Sequence, residues 1–398
     1  KRPCAFCKTL YRNRKRIGKR QMNAKLGVGV IGCGNISSAY FRLAPLFRNI
    51  EIKACADLKA ETAQNQAAEF GILAMDVDSL LANRDVEIIV NLTVPDAHFM
   101  VSKSIIESGK HVFSEKPLTL SLDEAIKLKV MAETRGVKLA CAPDTFLGGV
   151  HQQARNLIDS DSIGNVTGGT CHVMSHGMEH WHPNPDFFYK PGGGPIMDLG
   201  PYYIGNLIQL IGPVNRVTAL ATIPQQTRTI SSEERFGDKI SVETPTTIHA
   251  VLEFKNKALI TLGSSWDVWN HGHPNMELYG TNGSLRIPDP NFFSGELQLA
   301  SEEGDFESVQ QWVHPLGKVN EEHDSGWMAN YRTVGLADLA RAILEGNDAR
   351  CQIDRPLHAV EVMTSILQST ETGKTIEMTT TCTRPEPLGP EKARNLMS

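Results

Sequence analysis

The chain has 398 residues, of which 41% are hydrophobic and 21% are charged. This length exceeds what one hydrophobic core usually supports, so it predicts two domains, and the composition is that of a globular protein rather than a disordered or fibrous one. Ten of the 40 Lys and Arg residues fall within residues 1–25, which contain no acid. The rest of the chain is therefore markedly acidic, which argues against nucleic-acid binding.

The N-terminal segment, residues 1–24, is a basic tail that we expect to lie outside the fold, because Met22, directly before a strand-like run, could be the true start; the alternative, a nucleic-acid-binding arm, stays open. Cys4 and Cys7 have the spacing of a metal or redox pair, but no second pair accompanies them, so we expect neither chemistry there. The eight cysteines are scattered, which favours a reduced, cytoplasmic setting. No uninterrupted apolar stretch reaches 18 residues, so we expect no membrane span.

Strand-like and helix-like stretches alternate from residue 25 to residue 145. Apolar runs such as "LGVGVI" and "VEIIVN" alternate with stretches of helical spacing such as "ETAQNQAAEFG" and "SLDEAIKLKVMAETRG". Ser121 and Glu124 form a capping-box pattern at the start of the last of these. The alternation predicts an α/β fold with a doubly wound parallel sheet.

A glycine-rich turn follows the first predicted strand. Gly32 and Gly34 match the first two glycines of a dinucleotide-binding fingerprint, and Ser37 replaces the third. Asp57 ends the second strand, where a carboxylate binds the adenosine ribose hydroxyls and repels a 2′-phosphate. This pattern favours NAD over NADP, although Lys59 is close; the alternative, that Asp57 only caps the next helix, stays open.

Two polar phrases, "NLTVPDAHF" (91–99) and "GKHVFSEKPL" (109–118), stand at the ends of consecutive predicted strands. Ligands bind outside the carboxyl ends of the strands in open α/β sheets. Lys116 would therefore place an ammonium beside the nicotinamide, the alternative being an ordinary solvated lysine.

The phrases "VGVIGCGNIS", "NLTVPDAHF", "SEKPL" and "GGGPIMDLGPYY" together resemble the Gfo/Idh/MocA oxidoreductase family, over roughly residues 25–385. The resemblance implies a Rossmann domain (25–145) followed by an α/β domain (146–385) with a large, mostly antiparallel open sheet; residues 386–398 would be a C-terminal tail. In that family the large sheet covers the nicotinamide and commonly forms the oligomer interface. We therefore expect a homo-oligomer, a dimer or a tetramer.

The resemblance also assigns residues to the site. The family's second domain carries an Asp followed four residues later by a His; Asp198 matches the Asp, and Tyr202 stands at the His position, as in some sugar-acting members. Lys116, Asp198 and Tyr202 are the predicted catalytic residues. The predicted cofactor-binding residues are Gly32, Gly34, Asn35, Ile36, Asp57, Thr93, Pro95, His98, Glu115 and Lys116.

Beyond residue 146 the strand-like stretches follow one another without helices, which indicates the antiparallel second domain. The densest polar and aromatic segment is "SHGMEHWHPNPDFFY" (175–189), which we interpret as a substrate loop. It spells an H-x-x-E-H pattern, but Gly177 and the two prolines argue against the helix that a zinc site needs, so no metal is expected. The predicted substrate-binding residues are His180, Trp181, His182, Tyr203 and His271.

Oxidation of a secondary alcohol needs a hydride acceptor and a base for the hydroxyl proton. A tyrosine ordinarily ionises near pH ~10, and a neighbouring ammonium such as that of Lys116 favours its phenolate. The sequence thus predicts an enzyme, an NAD-dependent oxidoreductase acting on a sugar, cyclitol or related polyol, with Tyr202 or Lys116 exchanging the proton. Two alternatives remain open: a glycosidase that works by transient NAD-dependent oxidation, elimination and re-reduction, and a non-catalytic dinucleotide sensor.

Overall fold

The computed structural model describes residues 24–323 and 326–398. The predicted basic tail, with Cys4 and Cys7, therefore lies outside the described residues except for Ala24. The helices of the described part are α1 (Asn35–Leu43), α2 (Ala60–Phe70), α3 (Val77–Ala82), α4 (His98–Glu107), α5 (Leu122–Arg135), α6 (Gly149–Asp159), α7 (Gly194–Ile211), α8 (Val334–Glu345), α9 (Asp354–Thr372) and α10 (Pro390–Arg394).

Strands form four sheets in the same residues. The strands of the two large sheets are β1 (Leu26–Ile31), β2 (Ile50–Ala56), β3 (Leu73–Met75), β4 (Ile88–Asn91), β5 (His111–Ser114), β6 (Leu139–Cys141), β7 (Val166–Met174), β8 (Val214–Thr222), β11 (Thr247–Phe254), β12 (Leu259–Ser265), β13 (Met276–Gly280), β14 (Gly283–Ile287), β15 (Gln298–Ser301), β16 (Glu307–Ser308) and β19 (Ile376–Glu377). The two small hairpins are β9 (Thr227–Thr229) with β10 (Lys239–Ser241), and β17 (Glu321–His323) with β18 (Gly326–Met328).

The first sheet confirms the predicted Rossmann architecture. Its six strands are parallel in the order β3-β2-β1-β4-β5-β6, which is the strand order of dinucleotide-binding folds. Every residue of the central strand β1 is buried, as expected for a parallel strand covered by helices on both faces. The carboxyl ends of β1, β4 and β5 therefore meet at one edge of this sheet.

The second sheet is the large, mostly antiparallel sheet that the sequence predicts. Its nine strands run in the order β16-β15-β14-β13-β7-β12-β11-β8-β19, and only β7 and β12 pair in parallel. Residues of β11 alternate between buried and accessible, because one face of the sheet is covered, by α7 at β11 and by α9 at β8, and the other is open. Helix α7, which carries Asp198 and Tyr202, thus lies on the covered face.

The end of the chain returns to the Rossmann sheet. Leu388, Ala393 and Leu396 are buried in the same core cluster as β1, and the Ser398 amide donates to the Leu46 carbonyl at 2.8 Å. Residues 386–398, expected to be a tail, are therefore packed onto the first domain, where Met397 pairs with Phe47 in the segment that follows α1. The domain boundaries themselves stay a prediction. In the described residues, no helix is both long and apolar enough to cross a membrane.

Candidate active site

The turn after β1 has the geometry of a pyrophosphate-binding turn. Gly32 has φ +97°, and a Cβ there would lie 2.7 Å from the Leu92 carbonyl carbon, so only glycine fits. A Cβ at Gly34 would meet nothing within 4 Å, and no described side chain caps the N-terminus of α1 behind it. The first N–H groups of that helix can therefore bind an anion.

Ser37 takes the place of the third fingerprint glycine without disturbing the turn. Its side chain is buried, and its hydroxyl donates to the Gly34 carbonyl at 2.6 Å. This hydrogen bond fixes the turn from within the helix, so the departure from the fingerprint leaves the turn intact.

Asp57 lies directly beside this turn. Its Oδ2 accepts from the Cys33 amide at 2.8 Å and its Oδ1 from the Lys59 amide at 2.9 Å. The contact with the Lys59 amide is the one expected if Asp57 caps the next helix. The contact with the Cys33 amide joins the carboxylate to the glycine turn. The pair of contacts holds Asp57 at the turn where a dinucleotide ribose would lie, so these residues fit NAD.

The nicotinamide half of the predicted site gathers at the ends of β4 and β5. Glu115 accepts from the Tyr40 hydroxyl at 2.9 Å and from the Lys116 amide at 2.9 Å, which fixes its carboxylate. His98 is only 1% exposed, and its two ring nitrogens face the carbonyls of Pro117 at 2.6 Å and Thr93 at 2.9 Å. His98 thus joins the two loops, and its direct contact with the cofactor stays a prediction.

The structure brings Lys116, Asp198 and Tyr202 together across the two domains. Lys116 Nζ donates to Asp198 Oδ1 at 2.7 Å and to the Asp198 carbonyl at 2.9 Å, and it lies 5.2 Å from the centre of the Tyr202 ring. Burial disfavours the ammonium, but the charges of Asp198 and Tyr202 outweigh it and hold the pKa of Lys116 above its usual range. Lys116 is therefore a cation at neutral pH.

Three further residues of this site were missed by the sequence analysis: Tyr40, Asp144 and Arg332. Tyr40 holds Glu115, as described above. Burial lowers the pKa of Arg332, which precedes α8, but its neighbours Tyr202 and Asp144 outweigh this effect and hold the pKa above its usual range. Asp144 accepts from the amides of Thr333 and Gly335 at 3.0 and 2.9 Å. These residues carry no local motif, and their roles depend on contacts between segments far apart in the chain.

The predicted substrate loop lies near Asp198 at one point, His182. Burial lowers the pKa of His182, and the charge of Asp198 opposes this shift, which indicates that the two side chains are neighbours. The Asn184 amide donates to His182 Nδ1 at 3.1 Å, so the neutral ring carries its proton on Nε2. Trp181 is 57% exposed next to it, and His180 is exposed as well, so both are accessible to a ligand.

A buried ion network holds the base of this loop. Arg228 lies 3.0 Å from Glu179 and also donates to Asp267, and Tyr189 donates to the second oxygen of Glu179. Arg228 and Glu179 are both buried. Glu179 is therefore committed to this network, and the H-x-x-E-H stretch lies outside the helices, as predicted. No set of three metal-ligating side chains suited to an ion was found in the described residues.

Two predicted substrate residues lie elsewhere. Tyr203 is 1% exposed, and its hydroxyl accepts from the side-chain amide of Asn275 at 3.0 Å within the core. This burial argues against a contact with substrate, and the predicted role of Tyr203 stays a prediction. His271 stacks on His273, which stacks on His172 at 4.1 Å. His172 alternates with buried Cys171 and Val173, so this group lies on the open face of the large sheet, opposite to the face that α7 covers. The local sequence does not indicate that Tyr203 points into the core or that His271 lies on the open face of the sheet.

A Rossmann sheet with an open glycine turn, joined to a second domain that presents a Lys, Asp and Tyr group, defines a dinucleotide-dependent class of protein. Two family models match the chain: residues 26–142 match the oxidoreductase family with an NAD-binding Rossmann fold, and residues 151–286 match the C-terminal domain of the same Gfo/Idh/MocA family. The chain belongs to this family of oxidoreductases.

Curated relatives agree with this assignment. An uncharacterized oxidoreductase of Schizosaccharomyces pombe is 29% identical over 52% of this chain and 58% of its own. The dTDP-3,4-didehydro-2,6-dideoxy-alpha-D-glucose 3-reductase of Streptomyces violaceoruber is 32% identical over 48% of this chain and 56% of its own. The match thus spans somewhat more than half the length of these relatives.

Solved structures share the fold over most of the chain. Levoglucosan dehydrogenase, in its apo form, superposes with a TM-score of 0.77 at 19% identity, over 90% of this chain and all of that one. An NAD-binding oxidoreductase from Klebsiella pneumoniae superposes with a TM-score of 0.76 at 20% identity, over 89% of this chain and 98% of that one.

Proposed function

We propose that this protein transfers a hydride between NAD and a secondary alcohol of a sugar, cyclitol or related polyol. The observation that carries the proposal is the contact of Lys116 with Asp198 and Tyr202 at the edge of the sheet where the glycine turn also lies. The sugar class is supported by two relatives, the Streptomyces sugar-nucleotide reductase and levoglucosan dehydrogenase. NAD, held by the glycine turn and Asp57, supplies the hydride acceptor when bound.

Lys116 binds and polarises the reacting oxygen in this scheme. Two of its three N–H groups donate to Asp198, so one remains for the substrate. Because its pKa lies above the usual range, Lys116 is a poor base at neutral pH. Asp198 orients Lys116 and thereby the substrate.

Tyr202 then exchanges the hydroxyl proton. The Lys116 ammonium lies 5.2 Å from the centre of its ring. A phenolic O–H group can donate a proton to the reacting oxygen and, as the phenolate, can accept one. Of the two proton carriers that the sequence left open, Lys116 is held as a cation, and this favours Tyr202.

The glycosidase alternative needs a further base near the sugar, for which His180, His182 and His271 were candidates. Neutral His182 presents an N–H at Nε2, because its Nδ1 accepts from Asn184, so it is a donor to a substrate hydroxyl rather than a base. His271 lies on the open face of the large sheet. A non-catalytic sensor would not need the contacts among Lys116, Asp198 and Tyr202, so these contacts favour an enzyme.

The same open face supports the proposed homo-oligomer. Leu220 is 76% exposed and Leu259 is 52% exposed on neighbouring parts of this sheet, and apolar side chains there would be covered by a second copy. Light scattering on the purified chain measures the mass directly, and a strictly monomeric protein at micromolar concentration contradicts this part of the proposal.

The test of function uses two single variants, Lys116→Met and Tyr202→Phe. A panel of sugars, polyols and glycosides is offered with NAD and with NADP while absorbance and products are followed. We expect each variant to lose about 100-fold or more in kcat/KM on any substrate found, the usual scale for a lost acid–base group. Lys129→Met is the matched control, because Lys129 pairs with Asp354 on the surface, and it should keep full turnover.

Turnover that survives in both variants, with unchanged NAD affinity, would refute the roles assigned here. Glycoside cleavage without net NADH points to the glycosidase alternative instead. Failure of the whole panel, with NAD still bound, points to the sensor.

A further inference from the structure

Four histidines gather on the open face of the large sheet. His172 of β7 and His249 of β11 both pair with Gly263 of β12, so their side chains point to the same face with only a glycine between them. The His273 ring stacks on the His172 ring with centres 4.1 Å apart, and the ring centres of His271 and His273 are 6.0 Å apart. These four residues form the histidine cluster of this face.

The glycine at position 263 allows the rings to come together. A Cβ there would lie 3.1 Å from His172 Cδ2 and 3.3 Å from His249 Cε1, so the two rings occupy the space that a larger residue would fill. His172 Nδ1 is buried and has no hydrogen-bond partner among the described residues. Burial lowers the pKa of His172, and the charges of the other three histidines lower it further. His172 is therefore neutral at neutral pH.

Uncharged side chains surround the histidine cluster on the same face. The strand registers place around it Thr170, Met174, Thr218, Leu220, Val251 and Thr261. Leu220 is 76% exposed and Leu259 is 52% exposed, so apolar area on this face remains to be covered. A surface with few charges at its centre and a polar rim is typical of protein interfaces.

Charged pairs form the rim of this face. Glu277 pairs with Arg286, Glu253 with Arg216 and Lys257, and Asp267 with Arg228. The remaining titratable side chain on the open face of β13 is that of Tyr279, which is uncharged at neutral pH because burial raises its pKa. Both signs of charge therefore lie on either side of the histidine cluster. In a two-fold dimer, where the same surface meets itself, each rim can face opposite charges, so a second copy of this chain is the partner that the surface fits.

Association of two copies through this face would remove the histidine cluster from water. Burial disfavours the imidazolium form, and a two-fold arrangement brings both clusters to one interface, where imidazolium charges would repel one another. The carboxylates of the rim already have basic partners, so they offset these charges little. Each histidine that takes up a proton therefore favours separate copies.

We propose that the histidine cluster makes the association of two copies through the open sheet face depend on pH, with acid releasing the copies. Released imidazoles take up protons from solvent, and association gives these protons back. The inference rests on the homo-oligomer of the proposed function but not on hydride transfer, so the two can fail separately.

The experiment measures the dissociation constant of the full chain by sedimentation velocity over a dilution series, at pH 8 and at pH 6. We expect the constant to rise about tenfold at pH 6, the result when one histidine in each copy loses about one pKa unit on association. The double variant His172→Gln/His249→Gln keeps polar side chains that do not titrate, and it should remove most of this rise. His323→Gln, in the exposed hairpin of β17 and β18, is the matched control and should keep it. Circular dichroism at both pH values checks that each protein is folded.

An oligomer with the same dissociation constant at pH 8 and pH 6 overturns the inference and leaves the homo-oligomer standing, whereas a monomer at both pH values overturns both. A rise that persists in the folded double variant overturns the role of the cluster. If the double variant does not fold, His249→Gln decides, because His249 is exposed in the single chain, and an undiminished rise there has the same meaning.

Leu220→Arg tests whether this face forms the interface. It places a permanent charge in the position paired with His249 and should release the copies already at pH 8. An unchanged dissociation constant in Leu220→Arg means that association uses another surface, which overturns the inference. A loss of hydride transfer in the substrate panel bears on the proposed function alone.

Discussion

Tyr202 and Tyr203 adjoin in α7 but have different neighbours. Lys116 Nζ lies 5.2 Å from the centre of the Tyr202 ring, whereas the Tyr203 hydroxyl accepts from the side-chain amide of Asn275 at 3.0 Å. Successive residues of a helix differ by about 100° around its axis, which is enough to separate a cleft position from a core position.

Tyr203→Phe should therefore lower stability and spare turnover. It removes the hydroxyl that pairs with Asp289, whose pKa is raised by burial, and we expect a loss of about 1–3 kcal/mol in the free energy of unfolding. Urea denaturation measures this loss, and kcat/KM should stay within about twofold of the native value. A large loss of turnover in a fully folded Tyr203→Phe protein would restore Tyr203 to the substrate site.

Asp57 should decide the choice of cofactor. Asp57→Asn keeps an oxygen for the Cys33 amide but removes the charge that repels a 2′-phosphate. We expect NAD affinity to fall about tenfold, roughly 1.4 kcal/mol, while NADP affinity stays equal or improves. Titration calorimetry with both dinucleotides measures the ratio. Lys59→Ala is the companion variant. If the native chain prefers NADP and Lys59→Ala loses this preference, Lys59 rather than Asp57 sets the choice of cofactor.

Arg228 should be essential to the substrate loop. Arg228→Gln leaves Glu179 and Asp267 without their common counter-charge, and breaking a buried pair in this way costs about 3–5 kcal/mol. Thermal and urea unfolding measure the loss. Arg235→Gln removes a more exposed arginine, paired with Asp186, from the same region and should cost no more than about 1 kcal/mol. Equal losses of unfolding free energy in the two variants would contradict the prediction that Arg228 stabilises the fold more than Arg235 does.

His358 should make the fold sensitive to acid. Burial lowers its pKa to about 4, with the charge of Glu361 opposing, from an ordinary value of 6.5. The Val214 amide donates to Nε2 at 3.0 Å, so a proton at Nε2 would break this contact. Between pH 4 and pH 6.5 the unfolded chain binds more protons than the folded chain. The contribution of neutral His358 to the free energy of unfolding is therefore fully present above pH 6.5, and it falls by up to about 3 kcal/mol as the pH approaches 4.

The check for His358 is the difference in unfolding free energy between pH 7 and pH 5. His358→Gln has no titrating group there and can still accept from Val214, so its difference between these pH values should be smaller than that of the native chain. Identical pH dependence in both proteins would exclude His358 as a source of acid sensitivity.

Local sequence patterns were sufficient for the Rossmann strands, the glycine turn and the place of Lys116. Hydrophobic periodicity and turn residues act on neighbouring positions, so Gly32 and Gly34 can be recognised without knowledge of the rest of the fold. The prediction of Asp198 and Tyr202 as site residues also required the resemblance of their segment to a known family. An acid and a tyrosine near the start of a helix have no distinctive local signature.

Only the tertiary structure decided which side chains share the site. Lys116 pairs with Asp198, which lies 82 positions later in the chain, and Asp144 accepts from the amide of Thr333, 189 positions away and directly before α8. The tertiary structure also places Tyr203 in the core and His271 on the open face of the large sheet. The sequence by itself determined the elements and the chemical groups they carry, because these depend on local backbone preferences. Their assembly depends on the packing of segments distant in the chain, which the tertiary structure alone defines.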